Sequence, residues 1–193
     1  MQHTILAISG EPATGKSMLA AAVVARCGVS FDTDTLCAPL RDAALGVLGL
    51  PASAVDGVLY RQRLRPAVYQ CLVDTALHLV SQVGLVVIDG PFHPGSCGSQ
   101  FWEEFDARAT KQGARLVRAH LVADPDVVRQ RMAVRAQARD VGKLADWDAH
   151  RAYWAVPPPS SALVIDATPA DFCAAAAAAL VCHVNNDTPG NHP

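Results

Sequence analysis

Residues 10 to 17 read Gly10-Glu11-Pro12-Ala13-Thr14-Gly15-Lys16-Ser17, which fits G-x-x-x-x-G-K-[ST]. Glycines at both ends let the backbone turn its N–H groups toward phosphate oxygens, with the positive end of the following helix behind them. Lys16 is then placed to reach the β- and γ-phosphates of a nucleoside triphosphate, and Ser17 to hold Mg²⁺. Gly10, Pro12, Ala13, Thr14, Gly15, Lys16, Ser17 and Met18 are the candidate nucleotide contacts. Of 16 lysines and arginines only Lys16, Lys111 and Lys143 are lysines, so a lysine in this loop is not a casual choice.

Carboxylates and arginines follow at intervals that suit such a loop. Val29-Ser30-Phe31 leads into Asp32-Thr33-Asp34, and Leu85-Val86-Val87-Ile88 into Asp89. Each apolar run reads as a strand that delivers acid to its carboxyl end, the edge where open α/β sheets bind ligands. Asp89 is the candidate metal partner of Ser17, and Gly90 follows it where ATP-hydrolysing motors carry a glutamate. Asp32 and Asp34 face the acceptor side in one reading; in the other, Asp34 or Thr35 only caps the next helix. Arg131, Arg135 and Arg139 recur every four residues, a single basic stripe if one helix carries them. Like charges at that spacing repel, so the stripe either meets phosphates or is a solvated face. Arg41, Tyr60, Arg65 and His93 are candidate acceptor contacts, against the plainer reading of surface charges and a loop histidine.

The elements that must position these groups alternate. Thr4-Ile5-Leu6-Ala7-Ile8-Ser9 is a buried strand, and Met18 begins a helix that runs to about Arg26. After the second strand, residues 36 to 83 form a mostly helical insertion. A helix from Pro39 to Leu48 is broken at Gly49-Leu50-Pro51, and Pro66 opens another with Val68, Cys71, Leu72, Thr75, Ala76, Leu79 and Val80 on its apolar face. Phe101 to Gln112 is helical, Leu116 to Val122 a strand, and Asp124-Pro125-Asp126 starts the arginine helix. Residues 140 to 159 are less regular and end in a proline spacer. Ala162 to Asp166 is the fifth strand; Thr168 lies in the turn before an alanine-rich helix that ends near Val184. Residues 185 to 193 read as a disordered tail.

With 193 residues and a formal net charge of −2, one domain over residues 1 to 184 is expected, without general attraction for nucleic acid or membrane. The absence of a long apolar run or secretory leader points to the cytoplasm. The six cysteines (Cys27, Cys37, Cys71, Cys97, Cys173 and Cys182) form no C-x-x-C pair and are expected as free thiols. Oligomeric state is not legible.

Taken together, the loop, Phe31-Asp32-Thr33-Asp34-Thr35-Leu36, Asp89-Gly90-Pro91-Phe92 and Arg131 through Arg139-Asp140 with Lys143-Leu144 and Trp147 resemble the small P-loop kinases of the nucleoside-monophosphate-kinase-like group. The likeness is greatest to bacterial AAA-type ATP-binding proteins related to chloramphenicol phosphotransferase, zeta toxins and gluconate kinase, and spans about residues 4 to 184. It implies a P-loop NTPase fold of α/β class, three layers around a five-stranded parallel sheet in the order 2-3-1-4-5, with an arginine-rich lid over residues 126 to 155. It implies ATP and Mg²⁺ as cofactors, Asp34 as the base, Arg131, Arg135 and Arg139 as lid groups on ATP, and Thr168 near the adenine. The expected activity is transfer of the γ-phosphoryl group to a hydroxyl of a small molecule, an antibiotic, sugar or nucleoside-like acceptor. A slow ATPase that serves as a nucleotide-dependent switch for a protein partner is the alternative.

Overall fold

A computed structural model of the chain describes residues 3–25 and 28–186. Five strands, β1 (His3–Gly10), β2 (Val29–Asp32), β3 (Leu85–Asp89), β4 (Ala114–Val122) and β5 (Leu163–Asp166), form one parallel sheet in the order β2-β3-β1-β4-β5. Alternation along β1 shows why three layers result. Ile5 and Ala7 join one core with α3 (Arg65–Val83) and α4 (Ser99–Lys111), while Leu6 and Ile8 join the other with α1 (Lys16–Val24) and α8 (Phe172–Asn186). A strand buried on both faces needs apolar residues at every position, which Ile5 to Ile8 supply.

Several boundaries differ from the sequence expectation for identifiable reasons. The helix after β2, α2 (Thr33–Val47), begins at Thr33 and runs through Pro39. Its cap is Asp32, not Asp34 or Thr35: Asp32 Oδ1 accepts from the N–H groups of Asp34 and Thr35, each at 2.7 Å. Two turns of helix precede the proline because this cap pays for their start. Between α2 and α3 the chain makes a 3₁₀ turn (Ala54–Asp56) and a π-helical turn (Tyr60–Leu64). The buried face of α3 is wider than the expected stripe: Tyr69, Val73 and Leu77 join Val68, Leu72, Ala76 and Val80, because α3 packs against α2 as well as the sheet.

The arginine segment is not one helix. Ala136, at φ +46°, ends α5 (Pro125–Arg135), and α6 (Ala138–Ala145) and α7 (Trp147–Trp154) follow where irregular chain was expected. Asp146 caps α7 by accepting from the Ala149 N–H at 3.1 Å. Helix α8 extends two residues beyond Val184; residues 187–193, and with them most of the expected tail, lie outside the described residues. Cys37, Cys71, Cys97, Cys173 and Cys182 are free thiols, and Cys27 lies outside the described residues. Among the described residues no helix is long and apolar enough to cross a membrane.

Candidate active site

Strand register brings the acids together. Asp89 pairs laterally with Asp32 on one side and Ile8 on the other, so both carboxylates stand at the carboxyl edge where β1 passes into the phosphate loop. Gly10 (φ +141°) and Gly15 (φ +99°) hold backbone that L side chains rarely adopt. A Cβ on Gly10 would stand 2.6 Å from the Leu121 carbonyl, and one on Gly15 would stand 2.9 Å from Phe172 Cζ. The loop is therefore wedged between β4 and the start of α8, and no side chain caps the first N–H groups of α1, which stay available to an anion.

A cleft of about 1180 Å³ opens at this edge. It is lined by Pro12, Ala13, Gly15, Lys16, Ser17 and Met18 of the loop, by Asp32, Asp34, Arg41, Tyr60, Arg65 and Asp89, and by Arg131, Arg135 and Arg139. Gly10 and Thr14 sit behind the loop; the Thr14 hydroxyl donates to the Glu11 carbonyl at 2.8 Å. Two further expected contacts, like Gly10 and Thr14, do not line the cleft. His93 is buried, donates through Nε2 to the Tyr153 carbonyl at 2.8 Å and accepts at Nδ1 from the Gly95 N–H at 3.0 Å. Those two bonds fix a neutral ring, in line with the burial that lowers its pKa. Thr168 spends its hydroxyl on the Asp124 N–H at 2.9 Å and tethers the turn after β5 to the start of α5.

Lys16 Nζ donates to the Glu11 carbonyl at 2.8 Å, and burial brings its pKa down to about 8, with Asp89 opposing the shift and Arg135 and Arg139 adding to it. The ammonium is carried there at a cost that an added anion would relieve. Burial also raises the pKa of Asp89, opposed by the Ser17 hydroxyl, which donates to Asp89 Oδ2 at 2.7 Å. One hydroxyl and one carboxylate are hard oxygen donors of the kind that hold Mg²⁺ together with substrate phosphates and water. Among the described residues no three His, Cys, Asp or Glu side chains gather into a metal cage, so Ser17 and Asp89 fit a shared rather than an all-protein site.

Each arginine of the expected stripe has its own partner within the chain. Arg131 donates to the Ala167 carbonyl at 2.8 Å and the Thr168 carbonyl at 3.4 Å. Arg135 forms a two-pronged pair with the buried Asp140, at 2.5 and 2.7 Å. Arg139 reaches across the cleft to Asp34, which Arg41 also holds at 2.8 Å. Repulsion along one helix face is thus replaced by backbone hydrogen bonds for Arg131 and separate ion pairs for Arg135 and Arg139, while all three residues still line one cleft. Asp140→Ala should lower stability by about 2 to 3 kcal/mol in urea unfolding, since it strands Arg135 and removes the neighbour of Lys143. An unchanged midpoint would assign Asp140 no part in joining α5 to α6.

Sequence reasoning missed several lining groups. Asp42, Ser53, Tyr69, Gln137 and Lys143 also face the cleft. Asp42 accepts from Arg41 Nε at 2.9 Å, a partner visible only once Arg41 is known to turn back along α2.

A family model described as an AAA domain matches residues 5–157. The chain belongs to the AAA domain family. Its matched span runs from β1 through the phosphate loop, both acidic strand ends and helices α5 to α7. No curated protein matches the sequence. Among solved structures, this AAA domain chain is similar to a gluconokinase from Sinorhizobium meliloti 1021, at 14% identity over 96% of this chain and 98% of that one, with a TM-score of 0.57. It is similar to the tunicamycin resistance protein of Deinococcus radiodurans, at 15% identity over 95% and 96%, with a TM-score of 0.55. A sugar kinase from Janibacter sp. HTCC2649 is 14% identical over the full length of both chains, with a TM-score of 0.57. At these identities the likeness is one of fold, an α/β fold of P-loop NTPase type, which in this chain has strand order 2-3-1-4-5.

Proposed function

We propose that the protein is a phosphotransferase that moves the γ-phosphoryl group of ATP to a hydroxyl of a small molecule, with Mg²⁺ as cofactor and the cytoplasm as its place of action. The observation that carries this reading is the pairing of two halves in one cleft. Lys16, Ser17 and Asp89, groups suited to phosphate and metal, line the same cleft as Asp34, Arg41, Tyr60 and Arg65, which we read as the acceptor wall. An enzyme that only hydrolysed ATP would need to position water, not a second wall.

Ser17 and Asp89 would hold the Mg²⁺, which when bound supplies charge neutralisation on the transferring group. Phosphates beside Lys16 offset the cost of its buried ammonium, and Arg135 and Arg139 approach the same region from the lid. Asp34 takes the proton of the acceptor hydroxyl as that oxygen bonds to phosphorus and the bond to the β-phosphate oxygen breaks, leaving ADP. For that, an acceptor must take a place on Asp34 now shared by Arg41 and Arg139. The names carried by the three similar structures support sugar and antibiotic hydroxyls as first acceptors to try. The test is a screen of sugars, aminoglycoside, macrolide and nucleoside antibiotics, and nucleosides with ATP and Mg²⁺, read by mass for the gain of one phosphate. Release of ADP and free phosphate, with no acceptor gaining mass, would overturn the transfer reading.

A further inference from the structure

Glu11 occupies a position that the loop motif leaves open, and yet it is among the most heavily engaged charges in the molecule. Its side chain is only 10% exposed. Carboxylate Oε1 accepts from His150 Nε2 at 2.8 Å and Oε2 from Arg151 Nη1 at 2.7 Å, across 139 and 140 residues of chain. Because a carboxylate only accepts, His150 carries its hydrogen on Nε2. The carbonyl of the same residue accepts from the Thr14 N–H at 3.3 Å, the Thr14 hydroxyl at 2.8 Å and Lys16 Nζ at 2.8 Å. One residue therefore joins the inner turn of the loop to helix α7.

The far end of α7 is tied to the acceptor wall. The Tyr153 hydroxyl accepts from Arg65 Nη1 at 2.9 Å, the Tyr153 carbonyl accepts from His93, and the Tyr153 ring stacks on His93 with centroids 3.9 Å apart. Arg61 lies over the other part of that ring, 5.0 Å from its centroid. Helix α7 thus bears on both halves of the cleft within four residues.

We propose that Glu11 is a positioning residue, which sets the phosphate loop relative to the acceptor wall by fastening it to α7 through His150 and Arg151. Two side-chain anchors on a half-buried strut restrain the peptide whose carbonyl steers Lys16. Releasing them leaves the two ends of the loop held, by β4 at Gly10 and by Phe172 and Asp89 at Gly15 and Ser17, but frees its middle to sample conformations that do not cup phosphate. The consequence for nucleotide affinity rests on the phosphotransferase reading; the restraint on the loop does not.

The experiment uses the full chain with Glu11→Gln, Arg151→Gln, the two combined, and Arg151→Lys. Hydrogen exchange of residues 12 to 17 in the free protein should quicken in Glu11→Gln and Arg151→Gln. Affinity for a non-hydrolysable ATP analogue with Mg²⁺ should weaken about tenfold in each. The double variant should be no weaker than either single one, because both changes break one link, and Arg151→Lys should recover most of the loss. Unchanged exchange with unchanged affinity overturns the proposal, as does a double variant whose loss is the product of the two single losses. If the parent binds no analogue while loop exchange still responds, the phosphotransferase reading falls and the fastening stands.

Discussion

Lys16→Met is expected to cut phosphoryl transfer by about 10²- to 10³-fold, the usual cost of removing one donor from a charge-stabilising site, and to leave the fold no less stable than before. The two effects separate because Lys16 is buried in a place that disfavours its charge. Its pKa falls from 10.5 to about 8, so at neutral pH the folded state carries an ammonium at a cost that the unfolded chain avoids. The shift corresponds to roughly 3 kcal/mol at the outside, and the gain in the variant is smaller because Asp89 loses a favourable neighbour. The sign with pH follows from proton counting. Between pH 8 and 10.5 the unfolded chain binds more protons at this site than the folded one, so stability due to Lys16 rises with pH across that window. Urea unfolding at pH 7 and pH 10 should show the variant ahead at pH 7 and the margin closing at pH 10. Near-normal turnover at saturating ATP would remove Lys16 from the phosphate site; a large loss of stability would mean that its bond to the Glu11 carbonyl outweighs the cost of burial.

That a side chain is kept where it costs stability is one reason the loop could be read from sequence at all. Its pattern follows from local geometry: positive φ at Gly10 and Gly15, a helix start with no side-chain cap, and a strand buried on both faces before it. The strands were legible for the same reason, since apolar runs ending in Asp32 and Asp89 leave few alternatives in a parallel sheet. What was not legible depends on partners far away in the chain. Arginines every four residues imply one helix only if nothing ends it. The residue that does end it, Ala136, is the best helix former of all, so no local signal marks the break. The break is favoured by Asp140, which reaches back to Arg135 from the next helix. Glu11 was passed over because the motif leaves its position free and its partners lie on α7, itself read as irregular. There a signal did exist: Asp146 followed by Asp148 in a first turn is a helix start. His93, in the sequence either a plain loop histidine or a substrate contact, is buried with two hydrogen bonds and a stacked tyrosine, partners that no local signal announces.

The same distance between local and tertiary signals bears on the choice of base. In the sequence Asp32 and Asp34 lie two residues apart, on one side of an extended strand, so either can serve as the base, and capping by Asp34 or Thr35 is the alternative reading. In the structure the strand ends at Asp32 and the helix begins at Thr33, so the two side chains belong to different elements and do different work. Asp32 is occupied three times over, by the N–H groups of Asp34 and Thr35 and by the Thr35 hydroxyl at 3.0 Å. Asp34, 40% exposed, pairs with the guanidinium groups of Arg41 and Arg139, and it faces the cleft.

Two isosteric changes should therefore part cleanly. Asp34→Asn is expected to lower transfer by about 10²- to 10⁴-fold, the range for a positioned general base, and to cost at most about 1 kcal/mol, since ion pairs this exposed contribute little. Nucleotide affinity should hold or rise slightly, because Arg139 is released from Asp34 toward the phosphates while Lys16, Ser17 and Asp89 are unchanged. Asp32→Asn should leave transfer close to the parent value: asparagine caps about as well as aspartate, and its carbonyl can accept from the same two N–H groups. Asp32→Ala, by contrast, removes the cap, should cost about 1 kcal/mol in unfolding, and should reduce transfer only by loosening the start of α2. Steady-state transfer to whichever acceptor the screen finds, alongside analogue binding and urea unfolding for all three variants, makes the comparison. If Asp32→Asn is the damaging change and Asp34→Asn is silent, the base is Asp32 and the cap is a secondary duty of the same carboxylate. If both are silent while Lys16→Met is not, ATP is bound and cleaved without a carboxylate on the acceptor side, and the acceptor wall of Arg41, Tyr60 and Arg65 has no reaction to serve.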